Sequence, residues 1–543
     1  MAICNALGAK LAHAWHSVQV ELHGQYSLTR LAAFHAYTAS ASTARVMTIM
    51  LLTPLPCLLA VALSDSFPLE PPEKGIGSSQ WFWARGEFTT FIYSHATVLQ
   101  LQFYVPRLHI PLRDRFAISI PSSVLTNVTA YLMARVIGFP LPFTLPALSV
   151  PWLTYFVGFL LLTRGRFLRA NPDVLRDLLQ YSLVMMCQMS MIIFYPFFYS
   201  AFSNFSASSQ TLFALLLPVM KLLQKNLICR VLVGRDDIKP EIVIFNVEIF
   251  NALFVSCCMQ SASSINTNLV IMGADFLQAW AGICDLDKML ADVNQLAEKM
   301  GMQKGKLVET AMDVLKHNPH IARNRTIRKL EDEAGFGLST TSVNGNQVVP
   351  QPHDNGIRSI NEDEARKASF LVWQSNQVKP PMAGNGETAE SGSRTASIAD
   401  VLTRDERLQF VQKALQILYL TEFLLLIEFT EVMIPVVYCE PSLAAAADVV
   451  LLSHSLTLVC PGVYLMVLYH LPNRVYYPQI GSMDPTALTH TIQNVFIYAV
   501  MELVSFLVLN YILKRKLHIS AIHQLTFVLE KQWKMVQSKL VLW

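Results

Sequence analysis

The chain has 543 residues, 52% of them hydrophobic and only 15% charged, with a formal net charge of +3. A water-soluble globular chain carries about 25% charged residues, so this one lacks the polar surface to cover a soluble body of its size. The small net charge, without any basic stripe interleaved with aromatics, argues against nucleic acid as a partner and leaves the lipid bilayer as the expected one.

The opening residues do not read as a secretory signal, because Lys10, His13, His16 and Glu21 interrupt any hydrophobic run before Val46. From there on, long apolar runs follow one another. A helix needs about 20 mainly apolar residues to cross the hydrocarbon core, and only helices and closed barrels satisfy their backbone there. The runs are continuous rather than alternating, which predicts an all-α, polytopic transmembrane helix bundle. Expected spans cover 46–63, 88–106, 116–138, 147–163, 177–202, 205–220, 241–260, 268–284, 412–438, 446–470 and 491–513. That makes roughly ten or eleven crossings by the length rule. The 268–284 run is short and is broken by Asp275.

Short-loop arginines and lysines set the expected orientation. Arg107, Arg113 and Arg115 follow the second span, and Arg164, Arg166, Arg169 and Arg176 follow the fourth. Lys221, Lys225, Arg230, Arg235 and Lys239 follow the sixth, whereas the intervening loops at 143–147 and 205–210 are uncharged. This alternation places the N-terminal segment, residues 1–45, in the cytosol. Asn204-Phe205-Ser206 is then an outward sequon and Asn204 a glycosylation candidate, while Asn127-Val128-Thr129 falls inside a span. The later half conflicts with the rule. If 241–260 and 268–284 both cross, three further spans carry Lys514, Arg515 and Lys516 to the outside, so one segment is re-entrant or miscounted.

A first block, 46–284, is followed by a linker over 285–406 and a second block over 407–513. The linker opens with Leu286, Met289, Leu290, Val293, Leu296 and Met300 at helical spacing, an amphipathic helix reaching toward Val314. Beyond His320 it turns to Gly, Ser, Asn, Pro and mixed charge, a composition expected to stay disordered and suited to recruiting cytosolic protein partners. Residues 514–543 form another amphipathic segment. Ile522, Leu525, Val528, Leu529, Val536 and Leu540 oppose Lys531, Lys534 and Lys539, which suits either an interfacial helix or an ordinary packed one. The apolar ending Leu540-Val541-Leu542-Trp543 suggests a chain that continues.

An ionisable side chain at a helix centre costs about 2.5–3.5 kcal/mol on insertion scales, so acids inside spans should face protein or water. Glu248 stands seven residues after Glu241 and three before Asn251. Asp275 interrupts its run. Glu422, Glu428 and Glu431 share one span, the last two at i,i+3, and Glu502 lies within the final span. His454 belongs to the run over 446–470. Together these form a candidate polar intramembrane site, serving either to exchange protons or cations or to fix helices by hydrogen bonds.

Met185, Met186, Met189 and Met191 with Cys187 offer soft ligands spaced for a copper(I) path, though methionine is also a common gap-filler. The nine cysteines have no metal-type spacing and are expected as small apolar packing groups. Phosphate-loop, zinc-protease, nucleophile-elbow and dinucleotide motifs do not occur. Gly273-Ala274-Asp275 lacks the second glycine of the intramembrane aspartyl protease motif. No enzyme activity, cofactor or metal is therefore expected.

Several stretches resemble a group of uncharacterised multi-pass membrane proteins encoded by oomycetes. They include 217–221 with Lys225-Asn226, 248–253, 258–264, 468–473 running to Tyr477-Pro478, and 519–520 with 523–525 and 527–530. The resemblance extends over most of the chain beyond Leu217 and implies a similar multi-helix architecture, without a substrate or site residues. The expected function is transport or channel activity on a small solute or ion through the acidic helices. A non-transporting receptor or membrane scaffold is the alternative. The membrane concerned, plasma or internal, is not specified by the sequence.

Overall fold

Apolar runs of this length must satisfy their backbone internally, and among the described residues they do so with helices alone. The computed structural model describes residues 19–70, 74–77, 79–139, 141, 144–261, 265–299, 307–317, 403–437, 485–517 and 520–542. The expected span over 446–470 with His454, and most of the linker, lie outside them.

After a 3₁₀ turn at Val20–Leu22 come α1 (Leu28–Ser40), α2 (Thr43–Leu52) and α3 (Leu55–Asp65). There follow α4 (Gln80–Tyr104), α5 (Leu112–Ile137), α6 (Thr144–Ala170), α7 (Pro172–Ser203), α8 (Ala207–Ala214) and α9 (Leu216–Val231). The body is completed by α10 (Lys239–Ser261), α11 (Ile265–Lys299), α12 (Leu307–His317), α13 (Arg404–Val437), α14 (Pro485–Leu517), α15 (Ala521–Lys531) and α16 (Trp533–Leu542). Eight stretches among the described residues are long and apolar enough to cross a membrane. Two of them join paired helices: α2 with α3, interrupted at Thr53-Pro54, and α8 with α9. The short run around Asp275 is no fragment, because α11 carries it without a break into the amphipathic segment. α4 spans the expected second crossing but is not one of the eight. It carries a buried polar row, Thr90, Ser94, Thr97 and Gln100.

The body carries large apolar side chains on its surface as well as in its core. Leu162 of α6 is 80% exposed and Phe197 of α7 is 75% exposed, as apolar surface facing lipid would be. At the centre stand α10 and α13, with 94% and 83% of their apolar windows buried, against 17% for α6 and α11. A helix apolar on all sides belongs in such a position. α10 is packed by α7, α9, α13 and α16, and α13 by α10, α11, α12, α14 and α15.

Contacts at the helix ends order the loops. Arg235 donates to the Tyr104 carbonyl at 2.8 Å and pairs with Asp177 at 2.7 Å, joining the end of α4, the start of α7 and the turn before α10. Asp237 in that turn accepts the Ser27 amide at 2.9 Å, so the N-terminal segment reaches the same end. Lys516 pairs with Asp287 at 2.6 Å, beside the Lys413–Asp292 ion pair. α14 therefore runs antiparallel to α13 and returns its basic terminus to the end where α13 begins. This removes the conflict that a count of three late crossings creates for Lys514, Arg515 and Lys516.

The C-terminal segment matches the packed rather than the interfacial expectation. Leu525, Val528, Met535 and Val536 are buried, α15 lies on α2 and α13, and α16 on α3 and α4. Met185 and Met191 are also core residues, whereas Met186 is 57% exposed, so the methionines of α7 do not converge on one point. Cys57, Cys187, Cys229, Cys257, Cys258 and Cys284 are free thiols set among the helices.

Candidate functional site

α9 carries its chemistry on one face. Lys221 and Lys225, one turn apart, point into the body, while Leu223 and Leu227 face outward. These lysines are not loop residues, as the short estimate of the sixth span had them; the helix continues to Val231. Both are almost wholly buried, and both reach Glu248 of α10, at 2.8 and 2.6 Å. Lys221 also pairs with Glu431 of α13 at 3.2 Å. Lys225 pairs with Glu21 of the N-terminal 3₁₀ turn at 3.0 Å and stands 5.6 Å from the Phe423 ring centre.

Glu428 and Glu431 lie on one face of α13, and antiparallel α14 brings Glu502 to them. One oxygen from each of the three carboxylates falls within 4.8 Å of the others. Ser505 of α14 hydrogen-bonds Glu428, whose Oε2 has no hydrogen-bond partner. Glu428, Glu431, Asp275 and Glu21 line a cavity of about 30 Å³, with Lys221, Gln19 and Gln278 also in its wall. One water needs roughly 10–15 Å³ of such space, so the cavity suits a water or two, or a small ion, but no larger solute. Two buried lysines thus face the carboxylates of Glu21, Glu248, Asp275, Glu428, Glu431 and Glu502. The acids outnumber the bases, and a low-dielectric interior penalises uncompensated charge heavily.

A second cluster adjoins the first. Arg30 of α1 reaches Glu241 of α10 at 2.5 Å and Glu422 of α13 at 2.6 Å, and donates to the Asp237 carbonyl. The Tyr26 hydroxyl donates to the other Glu422 oxygen, and Gln524 of α15 donates to Tyr26 at 3.0 Å. Burial first, then the Glu422 charge, holds the Tyr26 phenol well above its ordinary range, so it stays a donor. The clasp depends on a close approach at Gly24, where a Cβ would overlap the Tyr419 ring.

A third group contains no acid. Lys539 of α16, 2% exposed, donates to Gln188 of α7 at 2.9 Å and Asn246 of α10 at 2.8 Å.

The structure thus separates residues that the sequence grouped. Glu248, Asp275, Glu428, Glu431 and Glu502 converge on the cavity region, Glu422 belongs to the arginine clasp, and His454 is outside the described residues. Glu241 and Glu248, read as one stripe, serve different clusters. Asn204 is exposed at the end of α7, and Asn127 is held inside the bundle by Glu87 at 2.8 Å. Sequence reasoning missed Tyr26 and Arg30, gave Glu21 no part in a site, set Lys539 on the polar face of the C-terminal segment, and misplaced Lys221 and Lys225. The available signal was the i,i+4 lysine pair inside an apolar helix. No protein-family model matches the chain, and no curated protein or solved structure matches it.

Proposed function

We propose that this multi-pass membrane protein is a cation-coupled transporter whose coupling site is the acid-lined cavity between the N-terminal 3₁₀ turn, α9, α11 and α13. One observation carries the reading: buried carboxylates in excess of the two lysines surround a space large enough for an ion or water. Intramembrane acids arranged in this way exchange protons or bind cations, because neutralisation is what makes their burial tolerable. A proton or metal ion arriving from water supplies the missing positive charge. Its departure leaves a charge imbalance that favours rearrangement of the helices holding the acids.

The alternative, a membrane scaffold, finds support in the tight interhelical ion pairs, which would hold a bundle together without any traffic. Glu428 separates the two. In vesicles reconstituted with the full chain and an entrapped pH indicator, an imposed proton or divalent-cation gradient should collapse faster than in empty vesicles. Glu428→Gln should abolish that collapse while leaving the protein folded. A scaffold predicts no difference between protein-containing and empty vesicles.

A further inference from the structure

We propose that Glu428, Glu431 and Glu502 form a binding site for a hard divalent cation beside the cavity. The proposal names the coupling ion of the transport reading, and it rests on that reading for the ion's role but not for the site's existence.

The geometry is that of a partial coordination shell. Oxygens bound to one calcium, manganese or magnesium ion lie about 2.0–2.6 Å from it and therefore within about 5 Å of one another. Here one oxygen of each carboxylate already falls within 4.8 Å of the other two. The i,i+3 spacing on α13 supplies two ligands from one rigid helix, and the neighbouring α14 supplies the third. A second observation, separate from the three acids, points to a missing positive group. Glu21, on the N-terminal turn, is 6% exposed, lines the same cavity, and has an Oε2 without a hydrogen-bond partner. Glu428 Oε2, 5% exposed at the residue, is in the same state. Buried acceptors are paired in the great majority of cases, so these two carboxylate oxygens, Glu21 being held through its other oxygen by Lys225, mark a place for a cation or a water in that space.

The chemistry selects the kind of cation. The cavity wall offers carboxylate and amide oxygens and neither His nor Cys, a donor set that suits magnesium, manganese and calcium over zinc or copper. The cavity's 30 Å³ leaves room for water to complete the shell. Lys221 is the built-in competitor. Its ammonium stands 3.2 Å from Glu431 and 2.8 Å from Glu248, so an ion taking Glu431 leaves Lys221 with Glu248. Glu502 is only partly buried and is flanked by the exposed Leu503 and Val504.

The test is equilibrium binding of Mn²⁺ to the full chain in lipid nanodiscs after chelator stripping, read by loss of the free Mn²⁺ paramagnetic signal. One saturable site is expected, displaced by Ca²⁺ or Mg²⁺. Glu502→Gln, at the partly exposed edge where folding is least at risk, should weaken it by about tenfold or more, since even outer-shell changes cost 10–100-fold at metal sites. Glu530→Gln, in a surface pair with Arg45, should leave binding unchanged. Absence of a saturable site in the unsubstituted chain, or equal binding by Glu502→Gln and Glu428→Gln, overturns the proposal. Binding without gradient collapse in vesicles defeats the transport reading and leaves the site standing. Collapse without Mn²⁺ binding does the reverse.

Discussion

Two acid-containing clusters among the described residues use the same residue types to opposite ends. In the clasp, Glu422 has both oxygens filled, one by the Arg30 guanidinium and one by the Tyr26 hydroxyl, while Glu241 Oε2 beside it lacks a hydrogen-bond partner. At the cavity, Glu428 keeps one oxygen bare, Glu21 does likewise, and space for water lies between them. A saturated carboxylate such as Glu422 resists change, because every rearrangement leaves a buried charge exposed to low dielectric. An unsaturated one has a place for an arriving ion. The lesson is that burial of acids in a membrane bundle does not define function; the count of donors around each oxygen does.

That contrast can be broken from the clasp side first. Arg30→Met should leave Glu241 and Glu422 buried without their cation and cost about 3–5 kcal/mol, the usual range for one partner removed from a buried pair. It should appear as a large fall in thermal stability, followed by reactivity of the free thiols such as Cys258. A smaller loss is expected from Gly24→Ala. Its methyl overlaps the Tyr419 ring, and overpacking of this kind costs about 1–3 kcal/mol. Glu428→Gln should shift stability by less than about 1.5 kcal/mol, because the amide can still hydrogen-bond with Ser505 and no fully satisfied pair is broken. A destabilisation as large as that of Arg30→Met would erase the distinction between the clusters. The smallest effect belongs to Lys413→Ala, which removes a pair with Asp292 whose side chains are 34% and 58% exposed. Exposed pairs contribute about 0–1 kcal/mol.

The helical body was legible in the sequence because crossing a bilayer demands a long uninterrupted apolar run, and α5, α6, α7, α10 and α13 each contain one. α11 was harder, since Asp275 interrupts a run that the structure continues to Lys299. The acids at the cavity could be singled out by their cost in lipid, but their partners could not. Lys225 meets Glu21 across 204 residues of chain and Arg30 meets Glu422 across 392, separations that leave no local spacing to read. Lys221 and Lys225 were misread for a physical reason as well. A lysine beyond Pro218 resembles the positive edge of a span until a carboxylate such as Glu248 is known to face it. The N-terminal segment gave no signal because its residues act by inserting into a bundle built by others.

Ion exchange at the cavity requires contact with water, and a thiol placed in the cavity wall reads that contact. With the nine native cysteines replaced, Gln278→Cys puts a thiol in the cavity wall. Leu277→Cys puts one on the adjacent lipid-facing position, 66% exposed in the isolated body. Silver ion is small enough for the cavity and does not cross lipid. Added to membranes, it should block later maleimide labelling of the unfolded Gln278→Cys chain and leave Leu277→Cys fully labelled. Full labelling of Gln278→Cys after the same exposure would contradict the account and make the cavity a sealed packing gap.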